Sequence, residues 1–337
     1  MPTIILTGQH PGLNPADFGL AGLACFVLGC PGQEDPHAHV AAVSRAVTPL
    51  LRDEPDLLVV QGDTSSALGA ALAAFEACIP VAHVEAGLRT HDPSMPWPEE
   101  EYRVAIDADA DLLFAPTDLA AANLRAEKVP GEIHVTGNSG IDALLRTASR
   151  LPEPQLRGKG SKRVLVTCHR RESWAGGLTS IATALTELAE LGVAIQFLLH
   201  PNPFVATRMR ALLKGLRGVQ LLEPCGYEDL LSRIRNVDLV LSDSGGIQEE
   251  APALGVPLLV LRDKTERPEG IAAGSSMLVG TDRNRIVPEV RRLLDDPTAL
   301  AAMSRPVFPF GDGQAAPRIA SIVMGWLEQR SLTRRLA

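Results

Sequence analysis

The sequence predicts an α/β protein folded as two lobes, each built around a parallel β-sheet. Length is the first reason, since 337 residues exceed what one ordinary hydrophobic core organises. The second is a set of short, wholly apolar runs, such as Leu57-Leu-Val-Val60 and Leu239-Val-Leu241, with the continuous hydrophobicity of strands buried on both faces. Third, these runs alternate with helical segments in two series, separated near residues 150–162 by prolines, glycines and charge without an apolar pattern. The lobes are expected over residues 1–155 and 160–310. A C-terminal segment, 311–337, is expected to carry a helix packing across both.

In chain order, Thr3-Ile-Ile-Leu-Thr-Gly8 reads as a buried strand that places Gln9 and His10 at its C-terminal end, where open α/β sheets bind ligands. Residues 11–38 hold much Pro and Gly with little periodicity and read as mostly irregular. A helix is expected over Val40–Leu51, with Val40, Val43, Val47 and Leu50 on one face. The strand Leu57–Val60 then runs into Gly62-Asp-Thr64, an Ala-rich helix covers about 66–78, and Val81-Ala-His-Val84 is the next strand. Between Glu85 and Arg103 the chain is polar, and its prolines at 93, 96 and 98 forbid a helix until about Pro98, which suits a first helical turn. Asp111–Thr117 and Glu132–Gly137 complete this series. The second places strands at Val164–Thr167, Ala194–Leu199, Val219–Leu222, Asp238–Leu241, Leu258–Leu261 and Met277–Val279, with a final helix from about 316 to 329.

Composition excludes several classes. Hydrophobic residues at 45% and charged ones at 21% are globular values, and a net charge of −8 argues against a nucleic-acid surface. Five cysteines without CxxC spacing read as reduced thiols, and no apolar stretch or leader suits membrane insertion or export, so a soluble cytoplasmic protein is expected. His10, His83 and His91 lack metal-ligand spacing, which argues against a zinc site. The strands are followed by no GxGxxG, so no dinucleotide cofactor is expected.

The stretch with most chemical content is Asp238-Leu-Val-Leu-Ser-Asp-Ser-Gly-Gly-Ile-Gln-Glu-Glu250. A buried strand delivers Ser244, Gly245 and Gly246 to the start of a helix, whose first amides lack intrahelical partners and carry the positive end of its dipole. Two glycines let a phosphate approach that backbone, and Glu250, about one turn on, could accept from ribose hydroxyls. The same turn occurs widely in α/β proteins, so the remaining constellations matter. Asp63 and Glu85 each follow a strand, on a rim where both would face one cleft. Glu99, Glu100 and Arg103 share the following helix, positions 99 and 103 being one turn apart. Clustered carboxylates suit general acid/base chemistry on a sugar. His169 and Arg170 end the first strand of the second series, His200 ends the next, and Arg262 and Arg267 leave a later one in a charge-dense loop.

Seven segments together resemble the non-hydrolysing UDP-N-acetylglucosamine 2-epimerases of bacteria, and they occur in that family's order: Gln61-Gly-Asp-Thr64, His83-Val-Glu-Ala-Gly-Leu-Arg89, Pro96-Trp-Pro-Glu-Glu100, Cys168-His-Arg-Arg-Glu172, Asp243-Ser-Gly-Gly-Ile-Gln-Glu-Glu-Ala-Pro252, Thr265-Glu-Arg-Pro-Glu269 and Gly311-Asp-Gly-Gln314. The resemblance implies two Rossmann-like lobes of the GT-B kind with the substrate in a central cleft, and a homodimer. It implies interconversion of UDP-N-acetylglucosamine and UDP-N-acetylmannosamine for envelope polysaccharide synthesis, by elimination and re-addition of UDP without a redox cofactor. Carried over by position, Asp63, Glu85, Glu99 and His169 are catalytic candidates and Arg103 orients or neutralises. Ser244, Gly245, Gly246 and Glu250 would hold the UDP, with His200 and Arg262 as additions. Gln9, Glu100 and Arg170 are candidate contacts for a second, activating UDP-sugar.

Three departures accompany the resemblance. The family has a strand and an Arg-bearing turn before the strand matching Thr3–Gly8, which this chain lacks; Tyr102 stands where Asn is usual, and Pro11 replaces an Arg. The competing readings are a hydrolysing 2-epimerase that releases N-acetylmannosamine and UDP, a GT-B glycosyltransferase, and a catalytically impaired UDP-sugar-binding protein.

Overall fold

The computed structural model describes residues 1–10, 12–154 and 162–336. The chain forms two compact units, residues 1–136 with 317–337, and residues 137–316. Most of the expected linker, residues 155–161, lies outside the described residues, as does Pro11. The boundary thus falls at 136/137, ahead of the helix Ser139–Ala148. The reason is packing: Ile141 and Leu144 on that helix are buried in one core with Leu231, Val240, Ile247 and Phe310 of the second unit.

In the first unit, β1 (Thr3–Leu6) pairs in parallel with β2 (Ala24–Val27), while β3 (Leu58–Gln61), β4 (Val81–Val84), β5 (Leu112–Ala115) and β6 (Glu132–Val135) form a separate parallel sheet in that order. β2 lies within the stretch expected to be irregular. Its four residues are all exposed, so no burial pattern marks it, and only the ladder from Thr3↔Ala24 to Leu6↔Val27 makes it a strand. The expected helix 40–51 instead spans Pro36–Val47. Asp35 caps it by accepting from His37 N, Pro36 supplies the first-turn geometry, and Pro49 lies beyond it in a 3-10 segment, Thr48–Asp53. The Ala-rich helix Ser65–Glu76 is capped by Thr64, whose hydroxyl accepts from Ala67 N. Its small side chains pack closely on the preceding helix: a Cβ added to Gly69 would stand 2.7 Å from Val40 O.

The final helix, Ala315–Leu336, packs through Ile319, Ile322, Val323 and Trp326 on Ala82, Val84, Leu112 and Phe114 of the first unit's sheet. That buried face explains how β5 can be wholly apolar and β4 apolar except for His83.

The second unit holds one parallel sheet among the described residues. Its strands are β7 (Arg163–Thr167), β8 (Ala194–Leu198), β9 (Val219–Leu222), β10 (Leu239–Ser242), β11 (Leu258–Val260) and β12 (Ser276–Leu278), in the order β12-β11-β10-β7-β8-β9. Helices cover both faces, and separate clusters around Ile181, Leu185, Phe197 and Leu241 and around Leu165, Val240 and Val260 fill the two sides. The order reverses between β7 and β10, and at such a switch the loops leaving two adjacent strands part to opposite faces and leave a crevice.

Candidate functional site

β10 is buried throughout, and Ser242 at its end shares a hydrogen bond of 2.6 Å with Thr167 at the end of β7. The next residue, Asp243, is fully buried. Its Oδ2 accepts the backbone N–H groups of His169 (2.8 Å) and Arg170 (2.9 Å), and its Oδ1 lies 3.1 Å from His169 Nδ1. Burial raises the pKa of this carboxyl, but the hydrogen bonds and charge of His169 and the two amides outweigh it and hold it below the ordinary range. His169 stacks on His200, centroids 4.7 Å apart and planes 10° from parallel, and His200 Nδ1 accepts from Asn202 N at 3.1 Å.

Ser244 then caps the helix Gly245–Ala253 with extended backbone and leaves the first-turn amides without a side-chain partner from the cap. Gly245 is required by what lies against it. A Cβ there would stand 2.9 Å from Nη1 of Arg267. Gly246 is exposed and a Cβ would meet nothing closer than 4.0 Å, which leaves the amide end of the helix open to a ligand. Glu250 accepts from Tyr227 Oη at 2.9 Å, and burial raises its pKa against the opposing effect of that bond.

Arg262 is buried rather than displayed. Its guanidinium bonds Glu266 (3.0 Å) and lies 3.5 Å from Glu172, while Arg267 bonds Glu249 (2.7 Å) and Glu266. Asn138 adds a bond of 3.0 Å to Glu249. This alternating network fixes the loop after β11 against the helix that begins at Gly245.

In the first unit, Asp63 follows β3 and the left-handed Gly62, and accepts from the buried Arg103 through Nε (3.1 Å) and Nη2. Arg103 also reaches Glu100 at 3.0 Å, and Glu100 accepts the N–H groups of Thr90 and His91, each at 2.9 Å. Glu100 is therefore a buried strut that holds the loop ahead of its own helix. Glu99 opens that helix, Glu99–Asp109, half-buried. Glu85 is left-handed at φ 71°, an uncommon conformation for a residue with a side chain, and its Oε2 lies 3.5 Å from where a Gly62 Cβ would stand. The two acids that the sequence placed at strand ends thus neighbour one another around Gly62. Gln9 Oε1 accepts from Ser66 Oγ at 2.6 Å, tying the loop after β1 to the Ala-rich helix.

Beneath Gly62 lies a network that sequence reasoning missed. The fully buried His83 bonds Asp107 through Nδ1 (2.6 Å) and Gly62 O through Nε2 (2.9 Å), and Asp107 also faces Arg89 (2.8 Å). Both ring nitrogens meet acceptors, which is the environment of an imidazolium. Burial lowers the His83 pKa, but Asp107 and Gly62 O raise it further, and the net shift is upward.

The family described as UDP-N-acetylglucosamine 2-epimerase matches residues 1–324. The chain belongs to that family. It is 44% identical to the UDP-N-acetylglucosamine 2-epimerase of Yersinia pestis over 292 residues, 82% of this chain and 78% of the relative. Among solved structures it is similar to the UDP-GlcNAc 2-epimerase of Neisseria meningitidis bound to UDP-GlcNAc, with a TM-score of 0.90 and 34% identity over 96% of this chain and 92% of that one. The Methanocaldococcus jannaschii UDP-GlcNAc 2-epimerase in complex with UDP-GlcNAc and UDP gives 0.82 and 32%, over 96% of this chain and 91% of that one. The expected α/β fold, two units with parallel sheets of the GT-B kind, is the one found. Among the described residues, no helix is long and apolar enough to cross a membrane, and no group of three or more His, Cys, Asp or Glu side chains could hold a metal ion.

Proposed function

We propose that the chain interconverts UDP-N-acetylglucosamine and UDP-N-acetylmannosamine, acting in the cytoplasm as a homodimer. The observation that carries the reading is the arrangement at the ends of β3 and β4, where Asp63 and Glu85 stand around Gly62 and Arg103 faces Asp63. The C2 hydrogen of the sugar is not acidic, so simple proton exchange is too slow. In the proposed route a base removes the C2 proton, the electron pair forms a C1–C2 double bond, and UDP leaves C1 with the bonding pair. UDP then re-adds to C1 of the 2-acetamidoglucal while C2 takes a proton on the opposite face. No electrons are gained or lost overall, so no redox cofactor is needed.

Each half of the chemistry has groups suited to it. Positive charge developing at C1 is met by the carboxylates Asp63, Glu85 and Glu99, with Arg103 holding Asp63 in place. His169 is the group suited to moving a proton. The negative charge of the departing UDP suits the amide end of the helix Gly245–Ala253, and Glu250 suits the ribose hydroxyls once Tyr227 yields. Gln9, Glu100 and Arg170 are carried as contacts for an activating UDP-sugar, of which Glu100 acts through the loop it holds.

The test is turnover of UDP-N-acetylglucosamine in deuterium oxide, followed by NMR. UDP-N-acetylmannosamine carrying deuterium at C2 is the expected product. Free N-acetylmannosamine with UDP would assign the hydrolysing reaction, and tight UDP binding with no exchange at C2 would overturn the reading.

A further inference from the structure

His169 and Asp243 leave adjacent strands at the same end of the second unit's sheet, β7 and β10 being paired up to Thr167↔Ser242. The imidazole has one side committed. Nδ1 faces a fully buried carboxylate at 3.1 Å, one ring face lies on His200, and 29% of the side chain remains exposed. Nε2 is on the opposite edge of the ring from Nδ1.

We propose that Asp243 is a positioning residue that keeps the proton of His169 on Nδ1, so that Nε2 is the nitrogen that exchanges a proton with the substrate. This deepens the reading above and rests on its assignment of His169 to acid/base work. With Oδ2 accepting two backbone N–H groups, the buried Asp243 sits as an acceptor, so Nδ1 is the nitrogen that holds its proton towards Oδ1, 3.1 Å away. The lone pair is then on Nε2. When it takes a proton from the substrate, the imidazolium charge is met by Asp243, and the same nitrogen returns the proton in the reverse step. Stacking on His200 opposes rotation of the ring out of this orientation.

The buried amides make the inference testable. Oδ2 of Asp243 accepts two backbone N–H groups, so in Asp243→Asn the amide oxygen must occupy that place and the NH₂ group must face His169. Nδ1 is then forced to accept, and the proton moves to Nε2. A triad histidine held in the wrong tautomer loses turnover by on the order of 10⁴-fold, so with part of that penalty here kcat should fall by roughly 10²- to 10⁴-fold, with KM changing by less than about threefold.

The experiment combines ¹⁵N NMR of histidine-labelled protein with steady-state kinetics. The expected result is Nδ1–H in the wild type, Nε2–H in Asp243→Asn, and the stated loss of kcat. An Nε2–H wild type, an unchanged tautomer in the variant, or a tautomer switch with kcat within about threefold would each overturn the proposal. Should Asp243→Asn not fold, the wild-type resonances decide alone. Nδ1–H in the wild type and the switch in Asp243→Asn, with no turnover of UDP-N-acetylglucosamine by the wild type, would support the positioning by Asp243 and count against the epimerase reading.

Discussion

Replacing Asp107 by Asn removes the carboxylate that faces both His83 and Arg89 in the first unit. The isostere keeps the volume but removes the counter-charge that lies 2.6 Å from His83 and one of the two that face Arg89, at 2.8 Å, and weakens the bond of 3.0 Å from Gly87 N. Breaking a buried pair by removing one partner costs about 3–5 kcal/mol, because the other charge stays desolvated. Arg89 keeps Glu127 at 2.7 Å, so the lower part of that range is expected here. Urea unfolding followed by hydrogen exchange of first-unit amides measures it, with the second unit as an internal reference.

The same network sets a pH window. His83 has a raised folded-state pKa, so its contribution is complete below the unfolded value of 6.5 and is lost as pH rises through the folded one. Asp107 has a lowered pKa, first through the balance of burial against His83, so its contribution is complete above 3.8 and is lost as pH falls through the folded value. Support from the pair is therefore full between these two pH values and declines on either side. A loss below about 1 kcal/mol for Asp107→Asn, or stability rising between pH 6.5 and 8 in the wild type relative to the variant, would refute the assignment of His83 as a buried imidazolium.

Gly245→Ala places a methyl 2.9 Å from Nη1 of Arg267, whose guanidinium is pinned by Glu249 and Glu266; a cost of about 1–3 kcal/mol and weaker UDP binding by isothermal titration calorimetry are expected. Leu144→Ala, fully buried against Leu231 and Phe310, should destabilise the second unit by about 2–5 kcal/mol, with the first-unit transition unmoved in chemical unfolding. Amides of β1 and β2, which among the described residues form a two-stranded sheet of their own, should exchange with deuterium well before those of β4 and β5, which mass spectrometry resolves by peptide.

Strand positions were legible because a strand buried on both faces must be largely apolar, as Leu112–Ala115 is throughout and Val81–Val84 is apart from His83. The turn at Ser244–Gly246 was legible for a related reason: a strand that ends in Ser and two glycines before a helical pattern has few other conformations. The sequence also exposed Asp63, Glu85 and His169 as polar residues just beyond apolar runs, and Glu99 on the short helix that follows the proline-rich stretch. β2 was not legible, since its exposed residues carry no burial period. The boundary after Thr136 was hidden too, because Pro and Gly density marks where a chain can bend, and the core that claims Ile141 and Leu144 is a property of packing.

Partnership was the information that only the tertiary structure supplied. Asp107 and Asp243 look like ordinary acids in the sequence, Arg262 and Arg267 like loop charges suited either to phosphate or to anchoring, and Glu100 like a ligand contact. Three-dimensional contact separates them: Asp107 neutralises His83 and Arg89, Asp243 holds His169, Glu100 fastens a loop, and Arg262 and Arg267 brace another. The physical reason is that local sequence determines backbone preference and the direction a side chain leaves a strand. The charge state and role of a buried ionisable group depend on neighbours up to 111 positions away, brought within about 3 Å by the fold.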